Sequence, residues 1–165
     1  MIYMELIEKI RTANLVLVGL GENLTGDMEH FYKSLSVLLK GKDYFVVTLK
    51  ERAGLEQAGI LPEQIAAPLE DTKDTGSWER YLHWLGFTLN QKLCILELGV
   101  GFAHPSVIRF PFEKTCYFNQ KSIFIRIHET FPQLSAEIAE RGITIQKDPV
   151  LFLTSDGEAE DDRDH

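Results

Sequence analysis

Cysteine is nearly absent. Cys94 and Cys116 are the two in 165 residues, and neither belongs to a C-x-x-C pair. Two isolated thiols cannot build a four-thiolate zinc site, so no metal is expected. Cys94 lies in an apolar run and reads as a small buried hydrophobe. Long apolar runs are missing too. None approaches the roughly 20 residues that span a bilayer, so no membrane partner is expected. The stretch Met1-Ile2-Tyr3-Met4-Glu5-Leu6 has no basic residues ahead of its apolar ones and no small-residue cleavage site. It does not read as a signal peptide, and the expected compartment is the cytoplasm, where a disulfide is not favoured. Positive charge is also short, with 17 Lys and Arg against 25 Asp and Glu. No basic stripe stands out, so duplex nucleic acid is not an expected partner.

The net charge of −8 is uneven. Asp156, Glu158, Glu160, Asp161, Asp162 and Asp164 oppose Arg163, which leaves −5 in the last ten residues and −3 elsewhere. Residues 156–165 are expected to form a disordered, solvated acidic tail. A hydrophobic share of 44% is enough for a real core. Residues 1–155 are expected to make one domain.

Periodicity predicts the elements. Residues 2–11 read as a helix with Ile2, Leu6 and Ile10 on one face. Leu15 to Val18 is a buried strand. Asp27 to Leu39 is a helix that Gly41 ends. Tyr44 to Leu49 is a strand, Glu51 to Ala58 a short helix, and Gln64 to Ala67 a short strand. A polar turn over 68–76 leads to a helix from Ser77 to Asn90. Leu93 to Leu98 and Ser122 to Ile127 are strands, with a helical turn over Pro105 to Phe112 between them. A helix over Pro132 to Arg141 precedes final short strands at Ile143 to Ile145 and Val150 to Leu153. Strands alternating with helices predict an α/β fold, a mostly parallel Rossmann-like sheet with helices on both faces. Ligands of such sheets bind beyond the carboxyl ends of the strands.

Two glycine loops would meet there. Gly19-Leu20-Gly21-Glu22-Asn23 follows an apolar strand and precedes a helix, the arrangement that brings backbone N–H groups to a pyrophosphate. A full fingerprint would have glycine at position 24, where this chain has Leu24. A glycine turn that only lets strand and helix pack closely explains the same residues. A side chain at Gly21 would fill the space where backbone approaches phosphate. Gly21→Val is therefore expected to abolish nucleotide binding and spare the fold.

The second loop is Gly99-Val100-Gly101-Phe102-Ala103-His104-Pro105, after the strand Leu96-Glu97-Leu98. Together with the downstream strand Phe124-Ile125-Arg126-Ile127-His128, it resembles the sirtuins, the NAD-dependent deacylases. Gly19 to Asn23 is similar to the sirtuin G-A-G-x-S loop, and Gly99-Val100-Gly101 to its G-T-S turn. His128 stands where sirtuins carry an asparagine facing adenosine. Tyr44 to Gly59 resembles the sirtuin strand and helix that end in Ala-Gly. The resemblance implies NAD or ADP-ribose as cofactor. It implies Gly19, Leu20, Gly21, Glu22, Asn23, Thr48, Lys50, Gly99, Val100, Gly101 and His128 as its binding residues. The sirtuin T-x-N-x-D segment is reduced to Thr48 followed by Lys50 and Arg52. No histidine lies between His30 and His83 to serve as base, and the four-cysteine zinc module is missing. Deacylation is therefore not expected.

Lys50 and Arg52 would bring positive charge to the crevice, or face water on an exposed helix. Glu22 would repel a phosphate unless it turned away or bonded a ribose hydroxyl. Glu97 within an apolar strand needs a partner, either Arg109 or Arg126 as a core clamp, or else a catalytic role. His104 and His128 could face the crevice or be structural. The aromatic residues Trp78, Tyr81, Trp84 and Phe87 read as core or as a partner surface. Three functions stay open: a nucleotide-binding domain without deacylase chemistry, a scaffold that keeps the fold without a nucleotide, and an NAD-consuming hydrolase or ADP-ribosyl transferase using Glu22, Asn23 or His104. A protein partner or a second copy is compatible with each.

Overall fold

The computed structural model describes residues 2–71 and 76–157. Six strands form one parallel sheet: β1 Leu15–Leu20, β2 Asp43–Thr48, β3 Ile65–Ala66, β4 Leu93–Leu98, β5 Ile123–Ile127 and β6 Gly142–Ile145. Their order across the sheet is β3-β2-β1-β4-β5-β6, and every pairing is parallel. This is a Rossmann-like α/β fold. β1 is central, and the chain winds outward from it in both directions.

All six residues of β1 and of β4 are buried, as strands covered on both faces must be. Alternation sorts their side chains between two cores. Val16, Val18 and Leu20 face α1 (Ile2–Thr12), α2 (Met28–Leu39), α3 (Ala53–Gln57) and the C-terminal helical segment. Leu15 and Leu17 face α4 (Gly76–Gly86) and α5 (Arg109–Phe118), with Trp78, Tyr81 and Trp84 packed around Phe45. Tyr81 is core, Trp78 and Trp84 are half-buried against it, and Phe87 is exposed. Among the described residues, no helix is long and apolar enough to cross a membrane.

Three expectations are corrected. The buried face of α1 is Tyr3, Leu6 and Ile10, and Ile2 is exposed. Pro132 to Arg141 is not a helix but an irregular segment with one 3-10 turn, Ala139–Arg141. Its polar groups are held from outside: Arg109 binds the Phe131 carbonyl, Arg126 the Gln133 carbonyl, and Glu113 accepts the Ser135 N–H. Val150 to Leu153 is helical, not a strand. Asp148 caps it by accepting the N–H groups of Val150 and Leu151, and Pro149 fills the first helical position. This α6 (Pro149–Leu151) runs on as a π-helical stretch, Phe152–Asp156. Gly157 then lies against the Tyr3 ring, where a Cβ would come within 2.6 Å. The rest of the acidic tail, 158–165, and positions 72–75 of the polar turn lie outside the described residues.

Candidate functional site

The strand order reverses at β1, with β2 on one side and β4 on the other. A ligand crevice is expected beyond the carboxyl ends at such a switch point. The two glycine loops meet there and bond directly. Gly21 N–H donates to the Leu98 carbonyl and Asn23 N–H to the Gly99 carbonyl, both at 2.9 Å. Gly99 is in the left-handed region at φ 66°, which turns the second loop back across the first.

Gly21 is buried at the contact. A Cβ on it would lie 2.2 Å from the Gly99 oxygen and 2.3 Å from the Val100 Cα. Gly21 therefore serves the meeting of two backbones, and the expectation that Gly21→Val spares the fold is corrected. Gly19 has a different task. Its Cβ would strike Phe112 on α5 and Ile108 just before that helix at 2.6 and 2.7 Å, so its absence lets the helix onto the sheet.

Glu22 crosses from the first loop to the second. Its carboxylate accepts the N–H of Gly101 at 2.5 Å and the N–H of Ala103 at 3.2 Å. Neighbouring N–H groups converging on one anion form a nest. Asn23 reaches further, to His128 at the end of β5, 2.8 Å from Nε2. His128 Nδ1 accepts the N–H groups of Thr130 and Phe131 at 2.9 and 2.8 Å, so that nitrogen carries no proton. Burial, then the nearby Arg109 charge, push the His128 pKa below its usual value. A histidine held neutral in the fold but free to protonate when unfolded destabilises the fold as pH falls below about 6.5. The fall in melting temperature between pH 7 and pH 5 is therefore expected to be smaller in His128→Asn than in the parent. Equal falls would show that this ring does not contribute to the acid sensitivity.

The sequence offers Arg109 only as one of two partners for Glu97. Instead it clasps the loops, donating to the Val100 carbonyl at 2.9 Å and the Phe131 carbonyl at 3.2 Å. Its guanidinium lies 4.1 Å from the Phe102 ring centroid, and Phe102 packs edge-on against Phe131. Glu97 is the clamp with Arg126, bidentate at 2.7 and 3.0 Å in fully buried surroundings. Burial pushes the Glu97 carboxyl up against the pull of Arg126. Arg126 stays charged: burial opposes it, but Glu97 and Glu113 raise its pKa.

The β2 end is separate. Thr48 is fully buried, and its hydroxyl accepts the Lys50 N–H at 2.9 Å. Arg52 is engaged by Asp71, Glu56 and the Ile65 carbonyl, and Asp71 also accepts from Ala67 and Ser77. Arg52 is thus a brace for the segment after β3 rather than a charge facing ligand. Lys50 lines a cleft of about 730 Å³ with Met28, Tyr32, Leu49, Glu51 and Glu70. That volume lies within the range of about 300–1,000 Å³ typical of small-molecule sites. Of the predicted residues, Glu22, Asn23, Gly99, Gly101 and His128 gather on the β4–β5 side and Lys50 on the β2 side. Leu20, Thr48 and Val100 are buried.

His104 is exposed on the second loop. Cys94 is buried and its thiol is pushed up to about 12 by that burial, while burial also raises Cys116, so neither is a ready thiolate. Among the described residues, no group of three His, Cys, Asp or Glu could hold a metal ion.

No family model matches the chain. It is similar to a protein ADP-ribosyltransferase of Staphylococcus aureus (strain Mu50 / ATCC 700699), 24% identical over 87 residues. The match spans 53% of this chain and 28% of that protein.

Proposed function

We propose that this chain binds NAD or ADP-ribose across the carboxyl ends of β1, β2, β4 and β5, without protein deacylase chemistry. The observation that carries the proposal is the β1–β4 switch point. There two glycine loops touch, backbone to backbone, with Asn23 and His128 beside them. The likeness to an ADP-ribosyltransferase supports the same ligand class. One phosphate of the diphosphate would lie along the exposed stretch Asn23, Thr25 and Gly26 before α2, and the other would reach the Gly101 and Ala103 N–H groups. The ribose nearest β2 would enter the Lys50 cleft. Asn23, fixed by His128, would orient the other ribose.

The part of the site that does not fit as it stands is the nest at Gly101 and Ala103, which already holds the Glu22 carboxylate. Deacylation needs a general base, and no histidine occurs between His30 and His83 to supply one.

A second reading is favoured by the Staphylococcus match: transfer of ADP-ribose from NAD to a nucleophile, with nicotinamide leaving. Glu22, Asn23 and His104 are its candidate residues.

Thermal unfolding with NAD, ADP-ribose, NADP and ATP separates the readings. A ligand at a hundred times its Kd adds about 2.7 kcal/mol, a rise of roughly 5–10 °C for a domain of this size. A rise with NAD and ADP-ribose, and no O-acyl-ADP-ribose from acylated peptides, is the expected result. Nicotinamide release would favour the transferase. No shift with any ligand would leave a scaffold that keeps the fold.

A further inference from the structure

We propose that Glu22 is a latch on the switch-point site, filling the anion nest of the second glycine loop until a phosphate-bearing ligand displaces it. The inference rests on the nucleotide reading for where the ligand's phosphates lie, and on the geometry of this chain for the rest.

The nest demonstrably takes an anion, because a carboxylate sits in it. Both oxygens of Glu22 are used, one on the Gly101 N–H and the other on the Ala103 N–H. The seat is built from glycine. A Cβ at Gly101 would come 3.1 Å from the Glu22 Oε1 and 2.6 Å from the Asn23 carboxamide, so any larger residue would intrude on both. Arg109 adds positive potential to the same place and is fixed by two carbonyls. The donors, the cation and the missing side chain all serve negative charge. The occupant is the chain's own.

That occupant is exchangeable. Glu22 is only half-buried, so its side chain can swing into water with little desolvation to reverse. A phosphate brings three acceptor oxygens and more charge than a carboxylate, so it competes well for the same N–H pair. Once phosphate arrives, like-charge repulsion keeps Glu22 out. A ligand without phosphate, such as adenosine, lacks the means to displace it. The latch thus weakens every ligand whose phosphate must enter the nest by a fixed factor and leaves the affinity of uncharged ones, which do not enter it, unaltered.

A purely structural staple between the loops would look the same at rest and behave differently when removed. The test uses the full chain with Glu22→Gln and Glu22→Ala, and inorganic pyrophosphate, ADP-ribose and adenosine as probes. Amide resonances of Gly101 and Ala103 are followed by NMR, and affinities by calorimetry. Removing a competing charged hydrogen-bond partner is expected to tighten pyrophosphate and ADP-ribose about tenfold to a hundredfold, and to leave adenosine unchanged. Pyrophosphate should shift both amides at lower concentration in the variants than in the parent.

Weaker ADP-ribose binding by both variants would overturn the latch and make Glu22 a ligand-contacting group. Gly101 and Ala103 amides unmoved by pyrophosphate in Glu22→Ala would also overturn it. If Glu22→Ala unfolds, Glu22→Gln carries the test, since its amide oxygen still accepts one N–H. Pyrophosphate binding at the two amides with no ADP-ribose binding would uphold the latch and reject the nucleotide reading. ADP-ribose binding that never touches the two amides would do the reverse.

Discussion

Glu97→Ala is expected to destabilise the fold by about 3–5 kcal/mol, the cost of stranding a buried charge by removing its partner. For a domain of this size that lowers the melting temperature by roughly 6–20 °C. Glu97 and Arg126 are paired across β4 and β5, and both are fully buried. The guanidinium fork fits the carboxylate in two parallel bonds, and Arg126 is the one cation bonded to the buried Glu97 among the described residues. In Glu97→Ala, Arg126 would keep Glu113 at 3.0 Å and the Gln133 carbonyl, and would lose both of its bonds to Glu97.

The double variant Glu97→Leu with Arg126→Leu removes the stranded charge. It is expected to be more stable than Glu97→Ala alone, because breaking a buried pair costs more than replacing it with apolar groups. Recovery should be incomplete, since Arg126 also anchors the irregular segment after β5 through Gln133. Chemical denaturation of the parent, Glu97→Leu, Arg126→Leu and the double variant gives the coupling. Strictly additive losses would show that the two residues do not act as a pair.

The Glu97 outcome also marks what was readable in the sequence. A charge inside Leu93 to Leu98 demands a partner, and that demand can be seen without a structure. Which arginine answers it cannot, because Arg109 and Arg126 are equally basic. Register decides: Arg126 lies directly opposite Glu97 on β5, while Arg109 sits in α5 and faces loop carbonyls. The strands around β1 were legible because buried parallel strands are short apolar runs between turn residues. The segments that misled were those shaped by distant groups. Pro132 to Arg141 has helical spacing, but Arg109, Arg126 and Glu113 claim its backbone. Val150 to Leu153 is apolar enough for a strand, and the decisive signal was the polar Asp148 and Pro149 before it. At the site, the glycine loops could be found from sequence, but not that they bond to each other. Nothing local in Gly19 to Asn23 announces that Glu22 will seat itself on a loop 79 residues away.

Gly21→Ala is expected to cost about 3 kcal/mol, the upper part of the usual range for overpacking a well-filled interior. The added methyl is small, but it has no flexible neighbour to push aside. It would lie 2.2 Å from the Gly99 oxygen, 2.3 Å from the Val100 Cα and 2.6 Å from the Gly99 carbonyl carbon, all backbone. Relief requires the two loops to separate. Separation would break the bonds from Gly21 N–H to Leu98 and from Asn23 N–H to Gly99, and would pull Glu22 from its nest. Two controls isolate this cause. Gly101→Ala meets only side-chain atoms of Asn23 and Glu22, which can turn away, so it should be milder. Gly86→Ala, at the end of α4, meets nothing within 4 Å and should be neutral or stabilising by up to about 1 kcal/mol. The expected order of melting temperatures is Gly86→Ala highest, then the parent, then Gly101→Ala, then Gly21→Ala. Ligand binding measured at a temperature where Gly21→Ala is still folded then reports on the site and not on unfolding. A Gly21→Ala protein that melts within about 2 °C of the parent, less than 1 kcal/mol away, would mean that the loops part freely and that their close approach is no constraint on the fold.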